Sequence, residues 1–205
     1  MKMFYIILFL VSKVLVNANE VEIVKNMPYV EVKADGKTYK IQRMQDKDAY
    51  LTNTFSLTSR PSPPFFIEPF SVNTEVETFG ELEVLDFISK KKGIFVDARL
   101  ANWYAKSAIA TAVNIPFKIF LEESKERDKT LKSLGGERTS DGTWNFDDAE
   151  IILLYCNGAW CGQSPTAIRA LLELGYPSEK LKYYRGGMQT WQLLGLTTIV
   201  PKEIK

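Results

Sequence analysis

The sequence predicts an α/β protein built on a mainly parallel sheet, preceded by a small β-rich and Pro-rich N-terminal extension. Three observations predict it. From residue 75 onward, short apolar runs alternate with amphipathic stretches of helical period. Residues 151–155, Ile-Ile-Leu-Leu-Tyr, form the most apolar run beyond the N-terminal segment and read as a central strand buried on both faces. Ahead of residue 75 the texture differs. A period-two alternation surrounds an Asp-Gly pair, and four prolines then fall within nine residues, 61–69.

In chain order, residues 1–18 carry a basic start, a short apolar stretch and a small residue, Ala18, at the end. These are the parts of a secretory signal peptide, although Lys13 interrupts it. Cleavage there predicts a periplasmic or secreted protein with no membrane contact once the segment is removed; the alternative is an uncleaved membrane anchor. Residues 19–72 form the extension. Residues 29–33 and 38–41 alternate as strands around the turn at Asp35-Gly36. The prolines of 61–69 forbid a helix and favour an extended path, which Phe65, Phe66 and Ile67 place against a surface.

Residues 75–200 form the α/β domain. Thr78 reads as the N-cap of a helix, with Glu81 reaching back and Gly93 closing it. Leu82, Leu85, Phe87 and Ile88 supply its apolar face. Strands follow at 94–96, ending in Asp97, and at 112–115, stopped by Pro116. A charged helix runs to Leu134, and residues 135–143 are a polar loop with a turn. The central strand at 151–155 leads to a helix from Pro165 to Leu174, closed by Gly175. A last strand at 181–184 and a last helix at 187–194 complete the domain.

Composition narrows the chemistry. Basic and acidic residues nearly cancel, 26 against 25, so neither nucleic acid nor a polybasic membrane contact is expected. Histidine is absent, which removes Ser-His and Cys-His catalysis and His-ligated metal. Two cysteines cannot make an all-cysteine zinc site, so no metal and no cofactor are expected. The remaining reactive groups are Cys156 and Cys161. Cys156 directly follows the central strand, and the loop Asn157, Gly158, Ala159, Trp160, Cys161, Gly162, Gln163, Ser164 leads into a helix. In parallel sheets ligands sit at the carboxyl ends of strands, beside helix N-termini whose N–H groups favour an anion. A thiolate at that place is expected to have a lowered pKa and to act as a nucleophile. The bland alternative is a buried structural cysteine.

Three segments together resemble the rhodanese (thiosulfate sulfurtransferase) family. The first is Phe95-Val96-Asp97-Ala98-Arg99 followed by residues 109–116, Ile-Ala-Thr-Ala-Val-Asn-Ile-Pro. The second is the strand, cysteine, loop and helix unit from Leu154 to Ala167. The third is Tyr184-Arg185-Gly186-Gly187-Met188-Gln189-Thr190-Trp191 with Gly195-Leu196. The resemblance covers residues 75–200 and implies a three-layer sandwich around a five-stranded parallel sheet. It implies a sulfurtransferase that carries sulfur as a persulfide on Cys156, between a small sulfur-containing donor and a thiol or cyanide-like acceptor. Asp97, Arg99 and Arg185 are possible supports of the site; Asp97 and Arg99 are equally readable as a structural pair. Trp191 reads as core, and Trp160 as a pocket wall or docking point. The chain departs from the family pattern in two ways. Ala108 stands where many members have histidine, and the loop is two residues longer with Gln163 in place of an arginine. A neutral amide holds an oxyanion less well than a guanidinium, which weakens thiosulfate as donor. Arg169 reads as a solvated helix charge.

Two other function classes stay open. The fold can serve as a catalytically weak or inactive binding module that presents the loop and the Pro-rich segment to a periplasmic protein partner. The cysteine pair can instead do thiol-redox work, with Cys161 resolving an oxidised or persulfidated Cys156 into a disulfide.

Overall fold

Backbone pairing and side-chain alternation decide where the thiols end up. The protein is described by a computed structural model over residues 21–201; the expected signal segment lies outside the described residues. At the start, β1 (Tyr29–Ala34) and β2 (Lys37–Gln42) pair as an antiparallel hairpin. Asp35 and Gly36 take φ values of 50° and 70°, the two positive-φ positions that an Asp-Gly turn accommodates.

The main sheet holds β3 (Glu77–Phe79), β4 (Ile94–Asp97), β5 (Val113–Asn114), β8 (Ile152–Tyr155) and β9 (Leu181–Tyr184). Its order is β3-β9-β8-β4-β5 and every pairing is parallel. Five α-helices accompany the strands: α1 (Glu81–Ser89), α2 (Ala101–Tyr104), α3 (Lys125–Ser133), α4 (Gln163–Glu173) and α5 (Gly187–Leu193). Residues 135–143, expected as a loop, hold β6 (Glu137–Arg138), which pairs with β7 (Trp144–Asn145) just beyond them as a small hairpin.

Alternation along β8 splits its side chains between two faces. Ile152 and Leu154 join Val96, Tyr183 and Ala167, Ile168 and Leu171 of α4 in one buried cluster. Leu153 and Tyr155 join Phe95, Tyr184, Leu85 and Ile88 of α1, and Met188 and Trp191 of α5 in the other. Helices thus cover both faces and leave β8 fully buried, as its unbroken apolar run requires. Val32, Ile41 and Phe55 of the N-terminal extension are buried in the second cluster as well. The extension is also tied to the end of α5, through Met44 N–H to the Gly195 carbonyl at 2.7 Å.

Several boundaries move. Thr78 is not the N-cap of α1: it lies in β3, opposite Tyr183. Sheet pairing with β9 claims residues 77–79, so the helix starts later, with Gly80 as N-cap and the Glu83 carboxylate accepting its N–H at 3.1 Å. Leu82 is exposed, and Val84 takes the buried place on that face. Gly93 lies beyond the end of α1 and instead lets the Ile151 carbonyl approach closely. Helix α4 begins at Gln163, two residues before Pro165.

Candidate active site: a thiol pair under a proline-rich strap

Register sets the site's level. Asp97, Tyr155 and Tyr184 stand side by side at the carboxyl ends of β4, β8 and β9. Cys156 is the next residue after β8, and both it and Cys161 are free thiols about 2% exposed. The intervening loop is held from two sides. The Cys161 N–H donates to the Gly158 carbonyl at 2.9 Å, closing a turn. The first turn of α5 grips the other side, with Met188 N–H on the Cys156 carbonyl at 3.0 Å and Gln189 N–H on the Asn157 carbonyl at 2.9 Å. That grip needs Gly187, whose φ is 52° and where a Cβ would collide with the Cys156 carbonyl and the Gly158 nitrogen.

The loop curls so that Cys161 returns to Cys156. The Cys156 thiol donates to the Cys161 carbonyl at 3.0 Å. The Asn157 side-chain amide donates to the Cys161 sulfur at 3.7 Å, and the Cys161 thiol meets the Gln163 side-chain oxygen at 3.7 Å. The expected lowering of the Cys156 pKa does not hold. Burial pushes Cys156 well up, and its hydrogen bond toward Cys161 adds to the rise. Cys161 is the thiol that is lowered, to about 7, first by a side-chain hydrogen bond from Cys156 and then by the Asn157 and Gln163 backbone amides, against burial. Of the two thiols, Cys161 is the one whose thiolate the surroundings favour. Around the thiols lie buried polar atoms without hydrogen-bond partners: Asn157 Oδ1, Ser164 Oγ and the Tyr183 hydroxyl. Ser164 still faces the Cys156 sulfur closely enough to favour its thiolate.

The possible supports separate. Asp97 and Arg99 form a buried pair that satisfies itself. The carboxylate takes Arg99 Nε at 2.9 Å, Nη2 at 2.5 Å and the Arg99 backbone N–H at 3.0 Å. The guanidinium also donates to the Ser107 carbonyl at 2.6 Å. Burial opposes the Arg99 charge, but the Asp97 carboxylate outweighs it and the pKa is raised. Arg185 clamps the Pro-rich segment, donating to the Glu68 carbonyl at 2.7 Å and the Pro69 carbonyl at 3.1 Å.

That segment is what sequence reasoning missed. Residues 61–69 run as a strap across the thiol loop, with Glu68 N–H donating to the Ala159 carbonyl at 2.8 Å. Phe65 packs edge-on against Trp160 with ring centroids 5.2 Å apart, and the Arg60 guanidinium lies 3.6 Å from the Trp160 ring centre. Trp160 Nε1 donates to Gln189 Oε1 at 2.6 Å. Phe66 and Ile67, expected against a surface, are instead exposed and border an open cavity of about 1290 Å³ that Trp160 also lines. Arg169 is not a free helix charge: it faces the Glu68 carboxylate at 3.7 Å. The apolar and proline content showed that the strap packs; nothing in one sequence showed that it packs on residues a hundred positions later.

The Rhodanese-like domain family model matches residues 82–194, more than half of the chain. The chain belongs to the rhodanese-like domain family. Among solved structures it is similar to a rhodanese-related protein from Thermoplasma volcanium, at 20% identity and TM-score 0.43, covering 61% of this chain and 99% of that one. It is also similar to a human single-domain sulfurtransferase, at 18% identity and TM-score 0.41, covering 58% and 96%. A rhodanese from E. coli is similar at 19% identity and TM-score 0.34, covering 53% and 98%. No curated protein matches.

Proposed function

We propose that the protein is an exported sulfurtransferase that carries sulfane sulfur on Cys156. The observation that carries this reading is a free, buried thiol at the carboxyl end of the central strand, hydrogen-bonded to the backbone carbonyl of a second cysteine whose own thiol has a lowered pKa. Cys161 supplies what histidine would otherwise do. Its thiolate takes the Cys156 proton as Cys156 sulfur attacks the outer sulfur of a donor R–S–SH. The donor's S–S bond breaks, R–S leaves with the electron pair as a thiolate, and a Cys156 persulfide forms. A thiol or cyanide-like acceptor then attacks the outer sulfur, and Cys156 leaves with the electrons of the S–S bond.

The test compares sulfur transfer to cyanide by wild type, Cys156→Ser and Cys161→Ser. Loss in Cys156→Ser with a slower, alkaline-shifted activity in Cys161→Ser supports the reading. Full activity in Cys156→Ser overturns it. Export belongs to the same proposal and rests on the pattern of residues 1–18; an N-terminus at Asn19 in secreted or periplasmic material tests it.

The contact between the two cysteines also favours a second reading, in which Cys161 is a resolving residue. The Cys161 thiolate would attack the inner sulfur of the Cys156 persulfide, HS⁻ would leave, and a Cys156–Cys161 disulfide would remain. Dithiothreitol would then restore transfer in wild type and change nothing in Cys161→Ala.

A further inference from the structure

We propose that the open groove between the N-terminal extension, the strap and the end of α5 docks an amphipathic segment of a partner protein, apolar on one face and acidic at its edge. The inference goes beyond the sulfurtransferase reading and does not depend on whether Cys156 carries sulfur. Three separate stretches of chain line the groove, within 43–60, 62–67 and 189–195, together with Val21 and Trp160. Six of its apolar side chains, Met44, Tyr50, Leu57, Phe66, Ile67 and Leu193, are between 52% and 87% exposed. Apolar residues scattered singly over a surface are ordinary. Six that folding gathers from three stretches onto one concave surface form a patch of the kind that marks an interaction site.

Size favours a polypeptide over a small ligand. The groove measures about 1290 Å³ and is open to solvent, beyond the ~300–1,000 Å³ of the clefts that enclose small molecules. An amphipathic segment can instead lay its apolar side chains along the walls. Charge sets the partner's polar side. Basic and acidic residues balance over the whole sequence, yet the charged residues lining the groove are Arg43, Lys47 and Arg60 against Asp46 alone. Arg43 Nε donates to the Leu194 carbonyl at 2.9 Å, and Arg60 Nη2 to the Thr54 carbonyl at 2.8 Å. Arg60 also lies on the Trp160 ring and interacts electrostatically with Cys161. Neither guanidinium has a carboxylate within ion-pair distance among the described residues. Each has N–H donors beyond the one that holds a carbonyl, which a partner carboxylate can take. A basic partner meets like charge instead. Trp160 belongs to the thiol loop, so docking holds the partner beside that loop; the sulfurs themselves do not line the groove.

The test reads binding and needs no sulfur transfer. Fluorescence anisotropy is measured with a short fluorescein-labelled peptide of leucine and glutamate at helical spacing, and with the same peptide carrying lysine for glutamate. The acidic peptide should bind the full chain saturably, and the lysine peptide about tenfold more weakly, since reversing the charge sets it against the groove's cations. Arg43→Gln and Arg60→Gln should each weaken the acidic peptide about threefold, the scale of one partly exposed charge pair. Leu193→Asp changes an exposed side chain at the end of α5, so its circular dichroism should match wild type while peptide binding is lost. Equal affinity for the two peptides, no saturable binding of the acidic one, or undiminished binding to Leu193→Asp overturns the proposal. Three other occupants would overturn it as well. Laurate binding without peptide binding assigns the groove to a small amphipathic acid. Peptide binding only to a chain that starts at Asn19 assigns it to residues 1–18. A dimer in sedimentation that the peptide dissociates assigns it to a second copy of this chain.

Discussion

Cys156 and Cys161 make the pH behaviour of the site a property of two residues. Cys161 is lowered to about 7 chiefly by the hydrogen bond from Cys156, so its thiolate is present above that pH and is lost as pH falls through it. Iodoacetamide reactivity of wild type should rise with pH to a midpoint near 7. In Cys156→Ala the main cause of the lowering is gone, and the midpoint should move up; in Cys161→Ala the two raising influences of Cys161 are lost but burial still holds Cys156 up, so the midpoint should also lie above that of wild type. A midpoint that stays near 7 in both variants contradicts this coupling of the two thiols. The Asp97–Arg99 pair makes a different prediction. Both side chains are almost fully buried, so Asp97→Ala strands the Arg99 guanidinium and should cost about 3–5 kcal/mol in urea unfolding. Because Asp97 hydrogen-bonds Arg99 and not the thiols, the alkylation midpoint should hardly change. Cysteine position was legible in the sequence, since a thiol after the most apolar strand can lie only at the strand's carboxyl end. Which thiol ionises was not legible: that depends on a loop curl that sets Cys161 against Cys156.

At the scale of elements, the loop is a graft between two helix starts. Residues 157–162 are gripped by α5, whose first turn donates to the Cys156 and Asn157 carbonyls through a glycine in the left-handed region. Gly187→Ala should therefore destabilise the fold by about 1–3 kcal/mol, as strain at a special backbone position does, and should raise thiol reactivity at fixed pH by loosening the loop. Differential scanning calorimetry and alkylation rates check the two halves together. The sequence carried the strands and helices of 75–200 well because each has its own periodicity, as the unbroken run of β8 and the hairpin at Asp35-Gly36 illustrate. It misplaced the start of α1, where Thr78 satisfies a local capping pattern that sheet pairing with Tyr183 overrides. It also left the course of residues 61–69 open, because prolines specify an extended shape and not the surface on which it lies.

The whole molecule couples the extension to the rhodanese-like domain. Val32 and Ile41 of the hairpin and Phe55 share one buried cluster with Tyr155 and Trp191, and Gln189 Nε2 reaches the Phe55 carbonyl at 2.9 Å. Ile41→Ala should cost about 2–5 kcal/mol, the usual range for emptying a fully buried aliphatic site, and should lower the single unfolding transition seen by tryptophan fluorescence and circular dichroism alike. Two separable transitions would show the extension to be independent of the sheet. The coupling gives the strap its leverage. It is anchored to Arg185 behind it and to the thiol loop in front. The central claim is that Cys156 accepts sulfane sulfur. The measurement that tests it most directly is the intact mass of reduced wild type and Cys156→Ser after exposure to a persulfide donor. The account predicts a gain of one sulfur atom on wild type, removable by cyanide as thiocyanate, and no gain on Cys156→Ser; an equal gain on both, or none on wild type, would contradict it.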